Sequence, residues 1–106
     1  SLHIKVYEKD NERYMKYDFH NCSNGQLISI GTDEKCSIHL LEEGNTISTI
    51  HTVLTYDKER DIWEIMDGIE GKPSISGTWV ALDNKIGIED ELILKLGDDI
   101  LKVMLI

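Results

Sequence analysis

Apolar and polar residues alternate with a period of two along most of this chain. Leu2, Ile4 and Val6 are interleaved with His3, Lys5 and Tyr7, the pattern of an edge or half-buried strand. Tyr14 to Tyr17 and Phe19 predict a second strand, with Asp10–Asn11–Glu12 as the turn between the two. Asn21 to Gly25 is a turn cluster, and Gln26 to Ile30 is strand-like and stops at Gly31. Cys36–Ser37–Ile38–His39–Leu40 alternates apolar inward and polar outward. After the loop Glu42 to Asn45, His51 to Tyr56 is rich in β-branched and aromatic residues. Asp57 to Asp61 is a solvated turn, and Ile62 to Met66 resumes the alternation.

Asp67 to Pro73 holds two glycines and the only proline, and predicts a long loop. Gly77 to Leu82 follows as a strand and Asp83–Asn84–Lys85 as a turn. Leu92 to Leu96 and Ile100 to Ile106 are strands joined at Gly97–Asp98–Asp99, a hairpin signal. No segment carries a helical period. Many short strands at this spacing predict an all-β sandwich or barrel. There is no internal repeat or low-complexity tract, and the chain ends on its last strand, so residues 1–106 read as one domain cut from a larger protein.

Composition narrows the function classes. The length of 106 residues fits one domain, and 41% hydrophobic residues suffice for a core. Twenty acidic and eleven basic residues give a net charge of −9. That charge argues against nucleic acid, whose binding rests on phosphate neutralisation, and against anionic membrane surfaces. No apolar run is long enough for a membrane helix, and the N-terminus lacks a signal-peptide pattern. Two cysteines, Cys22 and Cys36, are too few for a disulfide framework. The expectation is an intracellular domain, cytoplasmic or nuclear, and monomeric.

Three loop segments carry the candidate chemistry. Gly31 ends a strand where the backbone must turn. Ser48 offers a hydroxyl able to donate to a phosphate oxygen, and His51 can bond two loop backbones through its two ring nitrogens. Gly77 permits close approach of a ligand or an unusual torsion. Ile30–Gly31–Thr32, then Ser48–Thr49–Ile50–His51, then Ser74–Ile75–Ser76–Gly77–Thr78–Trp79–Val80 resemble, in that order and spacing, the forkhead-associated (FHA) domain family. The likeness spans roughly Gln26 to Leu105, with Asp67–Gly68 and Asp90 to Leu96 matching the family's later loop and closing segment.

The resemblance implies a two-sheet β-sandwich of the SMAD/FHA type, with binding loops at one end that read phosphothreonine peptides. It carries phosphopeptide contact onto Thr32, Lys35, Ser48, Thr49, Ser76 and Gly77, with Gly31 and His51 as structural support. It implies a protein partner containing phosphothreonine, a signalling or scaffolding role, no catalysis, no cofactor and no metal. The chain also departs from the family pattern. Thr32 stands in place of the family's arginine, Ile75 in place of a hydroxyl residue, and Ser76 in place of an asparagine that holds the peptide backbone. Exchanging a bidentate guanidinium for a hydroxyl costs about 1–3 kcal/mol, or roughly ten- to a hundredfold in affinity. The expectation is therefore an interaction module with weak or absent phosphothreonine recognition. The alternative is a fully functional site in which Lys35 or Lys72 replaces the arginine as a point charge.

Other constellations weigh less. His20, Cys22, Cys36 and His39 include zinc-type ligands, but Cys36 and His39 have opposite parity on a strand, and Cys36 reads better as a small core residue. Ser48 with His51 lacks the acidic third member of a catalytic set. Trp63 and Trp79 are read either as core side chains or as exposed anchors for a partner. The acidic runs Glu42–Glu43, Glu89–Asp90–Glu91 and Asp98–Asp99 are solvated loops or a docking surface for a basic partner.

Overall fold

The computed structural model describes residues 2–7, 14–41, 46–69, 71–80, 91–97 and 99–105. Every regular element among them is a strand. In chain order they are β1 (Leu2–Tyr7), β2 (Met15–Phe19), β3 (Leu27–Gly31), β4 (Ile38–His39), β5 (Thr52–Asp57), β6 (Ile62–Asp67), β7 (Thr78–Val80), β8 (Glu91–Leu96) and β9 (Asp99–Leu105).

They form two sheets. The first has the order β2-β1-β9-β8-β7, and the second β4-β3-β5-β6. Pairing is antiparallel throughout except between β3 and β4, which run parallel. The alternation read from the sequence decides which side of each strand is buried. Leu2, Ile4 and Val6 on β1 face inward, as do Leu94 and Leu96 on β8 and Leu101 and Val103 on β9. Across the gap, Ile28, Ile30, Ile38 and Leu54 from the second sheet complete the layer, with Leu40 and Ile47 from the loops. The result is a β-sandwich whose core is almost wholly aliphatic. Trp63 packs half-buried against this core and lies against Tyr56, with ring centroids 5.0 Å apart.

Several expectations are refined. β1 is not an edge, because it lies between β2 and β9. The strand expected over Cys36 to Leu40 shrinks to Ile38–His39, since only these pair with β3, although Cys36 and Leu40 are both buried. The β8–β9 hairpin closes with Leu96 opposite Asp99, and Gly97 takes φ +57° there. The turns expected at Asp10–Glu12 and Asp83–Lys85, the loop Glu42–Asn45, and the strand residues Ala81, Leu82 and Ile106 lie outside the described residues.

The topology sends three connections to a common end. These are the β3–β4 loop, the chain entering β5, and the β6–β7 loop. Thr32 and Asp33 donate backbone N–H bonds to the carbonyls of Ser48 (3.2 Å) and Thr49 (3.1 Å). Gly68 N–H donates to the His51 carbonyl at 2.7 Å.

Candidate functional site

Gly31 is buried at the end of β3, and its reason for being glycine is steric. A Cβ there would collide with the Thr49 carbonyl oxygen and lie 2.9 Å from that of Ser48. The expected role in turning the backbone gives way to close approach of two chain segments. Cys36 reinforces the same contact. Its thiol donates to the Thr49 carbonyl at 3.2 Å, and burial pushes that thiol above its ordinary value. A buried, protonated thiol is inert, and here it pins a loop.

His51 is fully buried and joins two loops. Its Nδ1 accepts the Ser48 backbone N–H at 3.0 Å. Its Nε2 lies 2.9 Å from the Gly77 carbonyl. Since the first bond requires a bare Nδ1, the proton sits on Nε2 and is donated to Gly77. Gly77 itself adopts φ +83°, a conformation that costs a residue bearing a Cβ about 1–2 kcal/mol.

The 68–77 loop is held by a carboxylate. Asp67, the last residue of β6, accepts from Ser74 Oγ–H at 2.5 Å and Ser74 N–H at 3.1 Å. It also accepts from Thr78 Oγ1–H at 2.7 Å, and Thr78 is bonded in turn to Thr52 Oγ1 at 2.7 Å. Burial pushes the Asp67 carboxyl up, but the bonds from Ser74 and Thr78 outweigh it and hold the group below its ordinary value. Ser74 Oγ also accepts Gly77 N–H at 2.9 Å, closing the loop's last turn. Asp67 was legible in the sequence only as the start of a loop. Its partner Ser74 lies seven residues on, a spacing that no local turn rule flags.

The hydroxyls expected to face a ligand are partly used internally. Ser48 Oγ accepts the Ile75 N–H at 2.8 Å, which leaves its proton available to an acceptor. Ser76 Oγ donates to the Thr46 carbonyl at 2.5 Å, so its proton is committed and its oxygen only accepts. Ile75 is 68% exposed and offers no side-chain donor. Trp79 is 64% exposed, with its indole N–H fixed 3.0 Å from the Ser76 carbonyl. Core packing is therefore excluded for Trp79 and observed for Trp63.

A cleft of about 410 Å³ opens between these loops, lined by Ser48, Thr49, Ile50, Ile69, Lys72, Pro73 and Ile75. Thr49 is exposed at its rim. Ile50, Ile69 and Pro73 give it an apolar wall that sequence reasoning missed, because the loop's bridge between Ile69 and Lys72 is set only on folding. Lys72 lines the cleft. Lys35 is exposed on the β3–β4 loop, where its backbone N–H bonds the Asp33 carboxylate at 2.9 Å, and it is not among the lining residues. Among the described residues no group of three or more His, Cys, Asp or Glu side chains is placed to hold a metal ion. Among the same residues, no helix is long and apolar enough to cross a membrane.

The FHA domain family matches residues 28–101. The structure resembles the crystal structure of Mycobacterium tuberculosis Rv1747 FHA-1, with a TM-score of 0.60 and 17% sequence identity. That alignment covers 97% of this chain and 95% of the other, and at this identity it speaks for the fold alone. Nothing among curated proteins matches the sequence. The family match runs from the first inward residue of β3 to β9 and contains all three loops that His51, Ser48 and Asp67 tie together. This chain belongs to the FHA domain family, whose members are non-catalytic, phosphopeptide-binding protein-interaction modules.

Proposed function

We propose that this domain binds a phosphothreonine-bearing segment of a protein partner, and binds it weakly. The observation that carries the reading is the state of the loop hydroxyls. The Ser48 oxygen is taken by Ile75 N–H, and the Ser76 proton by the Thr46 carbonyl. Phosphate recognition then falls to the Ser48 proton, Thr49 and the loop turn at Thr32, where a threonine replaces the family's arginine. Gly77 and Ser76 border the peptide, while Gly31 and His51 hold the loops. The loss of the guanidinium alone lowers affinity by roughly ten- to a hundredfold.

A specific observation favours a stronger second reading. Lys72 lines the same cleft as Ser48 and Thr49, and its ammonium could serve as the missing point charge. Lys35, outside that lining, is the weaker substitute.

The test is a titration of the domain with a phosphothreonine peptide library and its unphosphorylated twin, read by fluorescence anisotropy. A phosphate-dependent preference of about ten- to a hundredfold or less, retained in Lys72→Gln, supports the proposal. Equal binding of the twins would assign the interaction to another surface. A preference well above a hundredfold that Lys72→Glu abolishes would favour the second reading.

A further inference from the structure

The β2–β3 and β5–β6 turns lie at the strand ends opposite the cleft, since the loops that form the cleft leave β3, enter β5 and leave β6. In the first turn the Gln26 N–H donates to the Ser23 carbonyl at 3.0 Å, which puts Asn24 and Gly25 at the two central positions. Gly25 takes φ +77°, with open space where a Cβ would stand, and both residues are exposed. Asn24 is the one asparagine in the chain that glycine follows.

That dipeptide carries a chemistry of its own. The Gly25 backbone nitrogen can give its proton to hydroxide and attack the Asn24 side-chain carbonyl carbon. A C–N bond forms, ammonia leaves, and a five-membered succinimide ring joins the two residues. Water then opens the ring at either carbonyl, leaving aspartate or isoaspartate at position 24. The net reaction consumes one water and releases one ammonia, with no change of oxidation state. Glycine suits the step because it has no Cβ to obstruct ring closure and its backbone rotates freely.

The fold commits both reacting groups. Gly25 N–H donates to the Tyr56 carbonyl at 2.8 Å, so its proton is held. Asn24 Oδ1 accepts the Lys58 N–H at 2.9 Å, so its amide is turned toward the facing turn. Both bonds reach the same short stretch, residues 56–58, and one opening releases both.

We propose that Asn24 is a latent modification site, which converts to aspartate and isoaspartate only when the β2–β3 turn parts from residues 56–58. The conversion is one-way. Isoaspartate adds a methylene to the main chain, so Gly25 no longer meets Tyr56 in register. Aspartate keeps an oxygen for the Lys58 N–H but adds a negative charge to a chain already at −9. The turn thereby records past openings, and this stands or falls independently of what the cleft binds.

The experiment incubates the purified domain in mildly alkaline buffer across a urea series. Digests are read by mass spectrometry for amide-to-carboxyl conversion at position 24. The folded domain should convert at least about tenfold more slowly than the chain unfolded in urea. Its rate should rise in parallel with hydrogen exchange of the Gly25 amide, since both need the same opening. Lys58→Pro removes the N–H that holds Asn24, at a first central turn position that suits proline. It should speed conversion by about threefold or more while the melting midpoint stays within about 4 °C of the parent. If that variant does not fold, the urea series and the exchange comparison on the parent chain decide. Equal rates in the folded and unfolded chain, a folded-state rate that ignores Gly25 exchange, or an unchanged rate in folded Lys58→Pro would overturn the proposal.

Discussion

The imidazole of His51 and the carbonyl of Gly77, separated by 26 residues in sequence, lie 2.9 Å apart. The other ring nitrogen accepts the backbone N–H of Ser48. One buried side chain thereby fixes the distance between the two loops that flank the cleft. This makes the site's geometry a consequence of tertiary packing rather than of either loop's own conformation.

His51→Ala should be severely destabilising. It leaves the part-buried Gly77 carbonyl and Ser48 N–H without their histidine partner, each costing up to about 1–3 kcal/mol, and opens a cavity beside them. A loss of about 3–5 kcal/mol in a urea titration is expected. Where the variant is still folded, any preference for a phosphorylated peptide should vanish with it, because Ser48 is no longer held.

Asp67 makes stability depend on acid. Burial raises its carboxyl, but the bonds from Ser74 and Thr78 prevail and hold it below its ordinary value of 3.8. A group depressed on folding contributes stability that is fully present above its unfolded value and is lost as pH falls through the folded one. The urea midpoint should therefore stay level from pH 7 to about 5 and drop below about pH 4. Asp67→Asn should be less stable at pH 7 and show a smaller acid loss. A carboxyl titration of Asp67 with a midpoint above 3.8 would contradict this.

Two glycine substitutions should differ in cause and size. Gly25 has φ +77° and open space where a Cβ would go, so Gly25→Ala costs only the left-handed backbone, about 1–2 kcal/mol. At Gly31 the Cβ would meet the backbone carbonyls of Thr49 and Ser48, which cannot move aside cheaply. Gly31→Ala should cost about 3 kcal/mol. It should also perturb the amide resonances of residues 48–51, which Gly25→Ala should not.

Thr32→Arg restores the guanidinium at the turn against Ser48. Phosphothreonine peptide affinity should rise by roughly ten- to a hundredfold, with the unphosphorylated twin unaffected, as measured by anisotropy. An unchanged affinity would mean that position 32 does not face the phosphate.

Strand positions were legible because burying one face of a sheet imposes a period of two. That rule separates Leu2, Ile4 and Val6 from His3, Lys5 and Tyr7, and the first three are the buried ones. At Cys36 to Leu40 the alternation holds, with Cys36, Ile38 and Leu40 buried, but parallel pairing with β3 lasts for two residues only. The alternation left open whether Trp79 is buried. β7 is an edge strand, and register puts Trp79 opposite Lys95 on the outer face.

The sequence by itself determined an all-β sandwich or barrel, the order of its three loops, and the residue types those loops carry, because alternation and turn chemistry are local. Only the tertiary structure decided that the Ser76 hydroxyl turns to Thr46, that Asp67 anchors Ser74, that Lys72 rather than Lys35 lines the cleft, and that Asn24 bonds the backbone of Lys58. Each of these depends on which distant segments come to lie side by side. That choice is made by the shared burial of two sheets, and no stretch of neighbouring residues encodes it alone.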